Sequence, residues 1–162
     1  MPLKLEFKSG DKLMINGAVI ENIGTNAKIL VHNEAAILRN KEVLSKTDEA
    51  TPAARVYFSL QCAYMFPDHA DDHMKTFGDH LNDYVQACPS AKGIAQEIQN
   101  AVADGKIYKA LKKTHNLISH EANVLQQFHH DLASYVEQEH LEEDENTGDE
   151  IENVGEKNSK AP

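Results

Sequence analysis

The chain lacks the features that mark membrane proteins and disulfide-rich exported proteins. Its 162 residues include no tryptophan, and its two cysteines are Cys62 and Cys88. Both cysteines lie in helical patterns, so we expect free, packed thiols rather than a disulfide. No apolar run reaches the ~18 residues of a membrane-spanning helix, and the chain enters its first strand without a hydrophobic leader. We therefore expect a cytoplasmic protein that makes no contact with membranes.

Motifs for catalysis are also missing. There is no glycine-rich phosphate loop, and no serine or cysteine stands in a nucleophile motif. The nine histidines raise a metal hypothesis, since His69, His73 and His80 fall within a ~40° arc of one predicted helix. His80 lies two turns beyond His73, however, so the three side chains cannot reach one ion. The sequence predicts no enzyme, no metal site and no cofactor.

Negative charge is concentrated at the C-terminal end. The formal net charge of the chain is −10, and residues 137–162 contribute −8 of it, with only Lys157 and Lys160 as cations. Residues 1–136 carry a net charge of −2. The body of the protein is nearly neutral, so the overall charge does not exclude a nucleic-acid partner.

Short strand-like runs alternate with turn signals over the first 44 residues. The strongest signal is Asn16-Gly17, because a type I′ hairpin turn needs positive φ at both central residues. Five runs are predicted as strands: 3–7, 12–15, 18–21, 28–31 and 35–39. They indicate a small antiparallel β module over residues 1–44.

The pattern becomes helical from Thr51 onward. Thr51 is an expected N-cap, and the helix that it begins is predicted over 52–65, with proline at the first helical position. Asp68 is the expected N-cap of a second helix. Gly105 is placed to end a third helix as its C′ residue.

The last helix is predicted to be unusually long, from residue 107 to about residue 139. Short loops between the preceding helices imply antiparallel packing, so residues 45–140 form a helical region. Residues 141–162 are acidic with almost no apolar content and are expected to be disordered. The predicted fold class is α+β: a small N-terminal antiparallel β module, an antiparallel helical region with a long C-terminal helix, and a disordered acidic tail.

An apolar stripe recurs along the last helix at seven-residue steps. Its members are Leu111, Ile118, Leu125 and Leu132. The stripe either packs on the other helices or leaves a face for a protein partner. Both arrangements stay open, along different halves of the helix.

Cations are scattered through the β module and the start of the first helix. The candidate nucleic-acid contacts are Lys4, Lys8, Lys12, Lys28, Arg39 and Arg55. Acidic residues are interspersed among them, which is typical of the mixed surface of many globular domains. Charge alone therefore does not single out nucleic-acid binding.

Five segments carry a further signal: Met-Pro-Leu-Lys-Leu at 1–5, Gly-Asp-Lys at 10–12, Ile-Asn-Gly-Ala-Val-Ile-Glu-Asn at 15–22, Ala-Ala-Ile-Leu-Arg at 35–39 and Thr-Pro-Ala-Ala-Arg-Val-Tyr-Phe-Ser-Leu-Gln-Cys-Ala-Tyr at 51–64. Together they closely resemble the FlbT family of flagellum biogenesis regulators from alphaproteobacteria. The resemblance covers residues 1 to about 130. It implies a post-transcriptional regulator that associates with the 5′ untranslated region of a flagellin mRNA and promotes its degradation, although some relatives act in the opposite direction.

On this resemblance we expect a flagellin mRNA leader to be the partner and the six cations to be its contacts. The alternative is a protein-binding adaptor or chaperone partner in flagellin regulation. Such an adaptor would use the helical region to bind another flagellar regulatory protein or flagellin. Whether the β module pairs across a homodimer stays open.

Overall fold

The computed structural model describes the backbone of residues 1–148 and the side-chain surroundings of residues 1–137. Within that part of the chain the elements follow the predicted order and confirm the α+β class. The strands are β1 (Leu3–Phe7), β2 (Lys12–Ile15), β3 (Ala18–Glu21), β4 (Ala27–Val31) and β5 (Ile37–Arg39). The helices are α1 (Pro52–Met65), α2 (Ala70–Ala87), α3 (Lys92–Ala103) and α4 (Ile107–Gly148).

The turn between β2 and β3 has the predicted geometry. Asn16 has φ of 46° and Gly17 has φ of 84°, as a type I′ turn requires. Glycine is also needed at position 17 for space, since a Cβ there would lie 2.5 Å from Cε1 of Phe66. The Asn-Gly signal therefore fixes both the hairpin and a close contact with the end of α1.

The strands form two antiparallel sheets. In the first, β1 pairs with β4, and in the second the order is β3-β2-β5. Leu5, Phe7 and Leu13 are buried together as a small core, to which both sheets contribute. Side chains alternate between the two faces of a strand, so Lys4, Glu6 and Lys8 point to solvent.

A larger core joins the three-stranded sheet to the helices. Leu38 of β5 is fully buried in this core, and Met14 of β2 packs against it. From the helices, Tyr57, Leu60 and Leu117 belong to the same cluster. The three-stranded sheet and the helices thus share apolar packing.

Two hydrogen bonds hold the start of α1. Thr51 Oγ1 accepts from the N–H of Ala54 at 3.2 Å, which confirms the predicted N-cap. Glu121 of α4 places Oε1 3.0 Å from the N–H of Ala53. The second acceptor lies 68 positions away in sequence and was not expected.

The start of α2 differs from the prediction. Asp68 lies inside a 3-10 turn, Pro67–His69, in which the N–H of His69 donates to the carbonyl of Phe66. Asp68, the expected N-cap, is part of this turn, and helix α2 begins after it, at Ala70. Gly105 has φ of 73° and ends α3 as predicted, with the N–H of Lys106 bonded to the carbonyl of Ala101.

The described part of the chain divides into two compact units, Met1–Glu121 and the part of α4 from Ala122 onward. Helix α4 continues to Gly148, beyond its predicted end near residue 139. Of the tail predicted to be disordered, residues 141–148 belong to this helix and 149–162 lie outside the described residues. In the described part of the chain, none of the helices has the length and apolar character to cross a membrane.

Candidate nucleic-acid interface

Three of the six predicted cations lie on the solvent face of the β1–β4 sheet. Lys4, Glu6 and Lys8 alternate with the buried side chains of β1. In the antiparallel register Lys28 stands opposite Glu6, and Lys4 stands opposite Leu30. Lys28 is therefore diagonal to Lys4, at a spacing of roughly 7–8 Å along the sheet, and Lys8 directly follows the last paired residue of β1. We call Lys4, Lys8 and Lys28 the lysine face.

A cleft of about 200 Å³ lies at one end of the lysine face. Lys8 and Lys28 both line it, together with Glu6 and Asn26. The backbone around the cleft is fixed by side-chain acceptors: the N–H of Lys8 donates to Asp11 at 3.0 Å, and the N–H of Ser9 donates to Asn26 at 3.1 Å. Two ammonium groups thus flank one cleft on an ordered backbone.

Lys12 and Arg39 have other surroundings. Lys12 lies opposite Glu21 in the β2–β3 pair, with Nζ 3.8 Å from the carboxylate. Arg39 donates from Nη2 to the backbone carbonyl of Glu6 at 3.0 Å, and this bond links the two sheets. Both cations already have a partner, so neither is as free as the lysine face to bind an added phosphate.

Arg55 is exposed on α1. It lines a cleft of about 250 Å³ with residues of α2, including His80, Asp83 and Tyr84. None of the clefts described for residues 1–137 contains both Arg55 and one of the strand lysines. The structure therefore does not join Arg55 to the lysine face.

The sequence did not point to a third cleft, an aromatic groove of about 340 Å³. Tyr64, Tyr108, Arg39 and Glu42 line it together with apolar residues of β1 and β5. The centres of the two tyrosine rings are 6.0 Å apart. Arginine and tyrosine together give the groove a flat apolar wall and a cationic edge.

Glu42 organises this groove. Its carboxylate accepts from the hydroxyl of Tyr108 at 2.8 Å and from the N–H of Arg39 at 2.9 Å. Its backbone carbonyl accepts from the hydroxyl of Tyr57 at 2.7 Å. Burial, followed by the bond to Glu42, raises the pKa of Tyr108 to about 12. The groove is thus built on a hydrogen bond from a phenol to a carboxylate.

The histidines and cysteines have separate surroundings. The ring of His73 packs on Phe66 with centres 6.3 Å apart, while His120 bonds to Tyr84 and Ser90. Residues 1–137 hold no group of three side chains that could bind one metal ion. Cys62 and Cys88 are free thiols, as predicted.

The predicted partner stripe on α4 is divided between core and surface. Leu111 is 1% exposed in the main core, so it presents no surface to a partner, and Ile118 packs against the same core. Leu125 and Leu132 are 49% and 51% exposed. The first half of the stripe therefore packs on the other helices, and the second half is exposed.

The known proteins that are similar to this chain share one description. The chain is 33% identical over 129 residues to a probable flagellum biosynthesis repressor protein from Bradyrhizobium diazoefficiens, covering 79% of this chain and 88% of the relative. It is 31% identical over 123 residues to the flagellum biosynthesis repressor of Caulobacter vibrioides, covering 75% and 87% of the two chains.

A second Caulobacter relative, from strain K31, is also 31% identical and is covered over 94% of its length. No solved structure matches the chain. The family model described as flagellar protein FlbT matches residues 3–125, which is most of the chain. The chain therefore belongs to the FlbT family of flagellar proteins, whose relatives are named as repressors of flagellum biosynthesis.

Proposed function

We propose that this protein restrains flagellum biosynthesis in the cytoplasm by binding the 5′ untranslated region of a flagellin mRNA and promoting its degradation. The observation that carries the proposal is the lysine face, where three cations share one solvent-exposed side of a two-stranded sheet. Lysines contact phosphates as point charges, so this face would position the RNA backbone. The repressor names of the relatives support the regulatory direction.

The aromatic groove would supply a second kind of contact. Sequence-specific RNA binding mostly uses unpaired bases, which stack on aromatic rings or on arginine. Tyr64 and Arg39 offer both surfaces in one groove. Binding of this kind needs no catalytic residue, so RNA decay would follow from blocked translation or from a recruited nuclease.

Affinity for a flagellin leader RNA, measured by fluorescence anisotropy over a range of salt concentrations, tests the lysine face. The double variant Lys4→Ala with Lys28→Ala should bind more weakly and reduce the slope of log affinity against log salt by about 1.4, at about 0.7 for each single-strand phosphate contact. Lys75→Ala with Lys92→Ala is the charge-matched control, since both lysines lie on exposed helix positions.

Absence of leader binding by the intact protein at low salt would refute RNA binding. An equal loss in the control pair would show only a general effect of charge. Tyr64→Leu should weaken binding by about 1–3 kcal/mol while leaving the salt slope unchanged, because stacking releases no counterions. The half-life of flagellin mRNA in cells that carry the lysine variant then gives the direction of control.

A second function is favoured by one observation, the exposed half of the α4 stripe. Leu125 and Leu132 are half exposed, which suits a protein-binding adaptor in flagellin regulation. Adaptor function would use α4 beyond Glu121, while RNA binding would use the lysine face and the aromatic groove. The two functions can therefore be separated by mutation.

A further inference from the structure

Between Ala122 and Glu137, the part of α4 beyond Glu121 whose side-chain surroundings are described, six large apolar side chains are exposed. Their exposed fractions run from 40% to 68%: Val124, Leu125, Phe128, Leu132, Tyr135 and Val136. Steps of three and four residues separate Leu125, Phe128, Leu132 and Tyr135, so these side chains lie on one side of the helix. We call the six residues the exposed stripe.

The size of the exposed stripe suits a transient contact with one helix. Six side chains about half exposed offer roughly 500 Å² of apolar surface, with the aromatic members contributing most. A patch of this size on a monomer is often functional. It also falls below the roughly 800 Å² per partner of a standard stable interface, and far below that of an obligate dimer.

Charge around the exposed stripe has one sign. Residues 122–148 include no lysine or arginine and seven acidic residues: Asp131, Glu137, Glu139, Glu142, Glu143, Asp144 and Glu145. Two copies of this segment paired in parallel would bring fourteen carboxylates together, which opposes self-association in that arrangement. A partner with basic residues beside its apolar face would be attracted instead.

We infer that the exposed stripe binds a basic amphipathic helix of another protein, one with apolar residues at three- and four-residue steps flanked by lysine or arginine. This inference rests on the adaptor function proposed above and is independent of RNA binding. Apolar side chains of the partner would cover Phe128 and Leu132 near the middle of the stripe, and its cations would face the acidic segment. Charge complementarity would then set the specificity for the partner, and apolar contact would supply most of the affinity.

Three synthetic peptides of about three heptads test the inference with the full-length chain. The first has leucine at the seam positions and lysine at the flanking positions, the second keeps the seam but replaces lysine with glutamate, and the third scrambles the first. Fluorescence anisotropy should show binding of the first peptide, with affinity at least about tenfold higher than that of the other two. Binding should also weaken as salt rises.

The protein variant for this test is Phe128→Ser with Leu132→Ser, which should abolish binding of the first peptide. Both sites are more than half exposed, so the fold should survive, and thermal melting followed by circular dichroism checks that it does. The matched control is Asn123→Ala with Ser134→Ala, two exposed positions on the opposite side of the helix by spacing, which should keep full affinity.

Equal affinity for the lysine and glutamate peptides, or unchanged binding by the serine variant, would overturn the inference. A concentration-dependent dimer in sedimentation that the serine variant abolishes would also overturn it, because a second copy would then cover the stripe. Leader RNA affinity separates the two functions: the serine variant should keep it, and the Lys4 and Lys28 variant should keep peptide binding. If the native protein binds leader RNA but not the lysine peptide, this inference fails alone; if it binds the peptide but not the RNA, RNA binding fails alone.

Discussion

Replacement of Glu42 by glutamine tests whether one carboxylate organises the aromatic groove. In the native protein the two carboxylate oxygens accept from the Tyr108 hydroxyl and the Arg39 N–H, at 2.8 and 2.9 Å. Glutamine keeps a single acceptor oxygen, so one of these donors would face an NH₂ group instead. A hydrogen bond to a charged group is worth about 1.5–3 kcal/mol, and Glu42 is only half-buried. We expect Glu42→Gln to lower the free energy of unfolding by about 1–2 kcal/mol.

The same substitution should change the titration of Tyr108. Its pKa of about 12 has burial as the larger cause and the bond to Glu42 as the next, so the pKa should fall but stay above the ordinary value. Urea denaturation measures the stability, and ultraviolet absorbance of the phenolate measures the titration. Glu34→Gln removes the same charge at an exposed position and should change neither quantity. Unchanged stability and titration in Glu42→Gln would refute the role assigned to this carboxylate.

Two further predictions concern the shared core and the response to alkali. Leu38→Ala should lower the free energy of unfolding by about 2–5 kcal/mol, because Leu38 is fully buried where the sheet meets the helices. Urea denaturation measures this loss, and a loss below about 1 kcal/mol would contradict the placement of Leu38 in the core. Burial raises the pKa of Tyr84 and of Tyr108 to about 12, so folding favours the neutral phenols. Their contribution to stability is complete below about pH 10 and should be lost as pH rises through about 12, which denaturation at a series of alkaline pH values measures.

Local signals in the sequence were enough to predict most of the strands and the first helix. Asn16-Gly17 demanded a turn with two positive φ angles, and Thr51 with Pro52 could begin only a helix. Both predictions depend on residues next to one another in the chain. The same kind of reasoning misplaced the start of α2, since Asp68 fits an N-cap and a 3-10 turn equally well.

Most of the candidate site could not be predicted, because it depends on contacts between residues far apart in the sequence. The aromatic groove brings Glu42 together with Tyr108, 66 positions apart, and no spacing rule connects them. The lysine face was predicted only in part. The sequence identified six candidate cations but not the strand pairing that groups Lys4, Lys8 and Lys28. Arg39 likewise gave no sign that its guanidinium would bond to a backbone carbonyl of β1.

The stripe on α4 shows the limit of periodicity itself. Leu111 and Leu125 occupy equivalent positions in the seven-residue repeat, yet one is in the core and the other is half exposed. The repeat predicts which side of a helix is apolar but not what covers it. That depends on how far along α4 the other helices reach, which is set by their own lengths and turns.

Glu121 marks a boundary with a consequence for how this chain can diversify. Its carboxylate reaches back to the first turn of α1, and the first compact unit ends at the same residue. The family match stops at residue 125, within four positions of that boundary. Exposed substitutions beyond it cost little, typically within about 0.5 kcal/mol of folding stability. A lineage could therefore exchange the end of α4, and with it the apolar surface exposed there, while inheriting the rest of the fold unchanged.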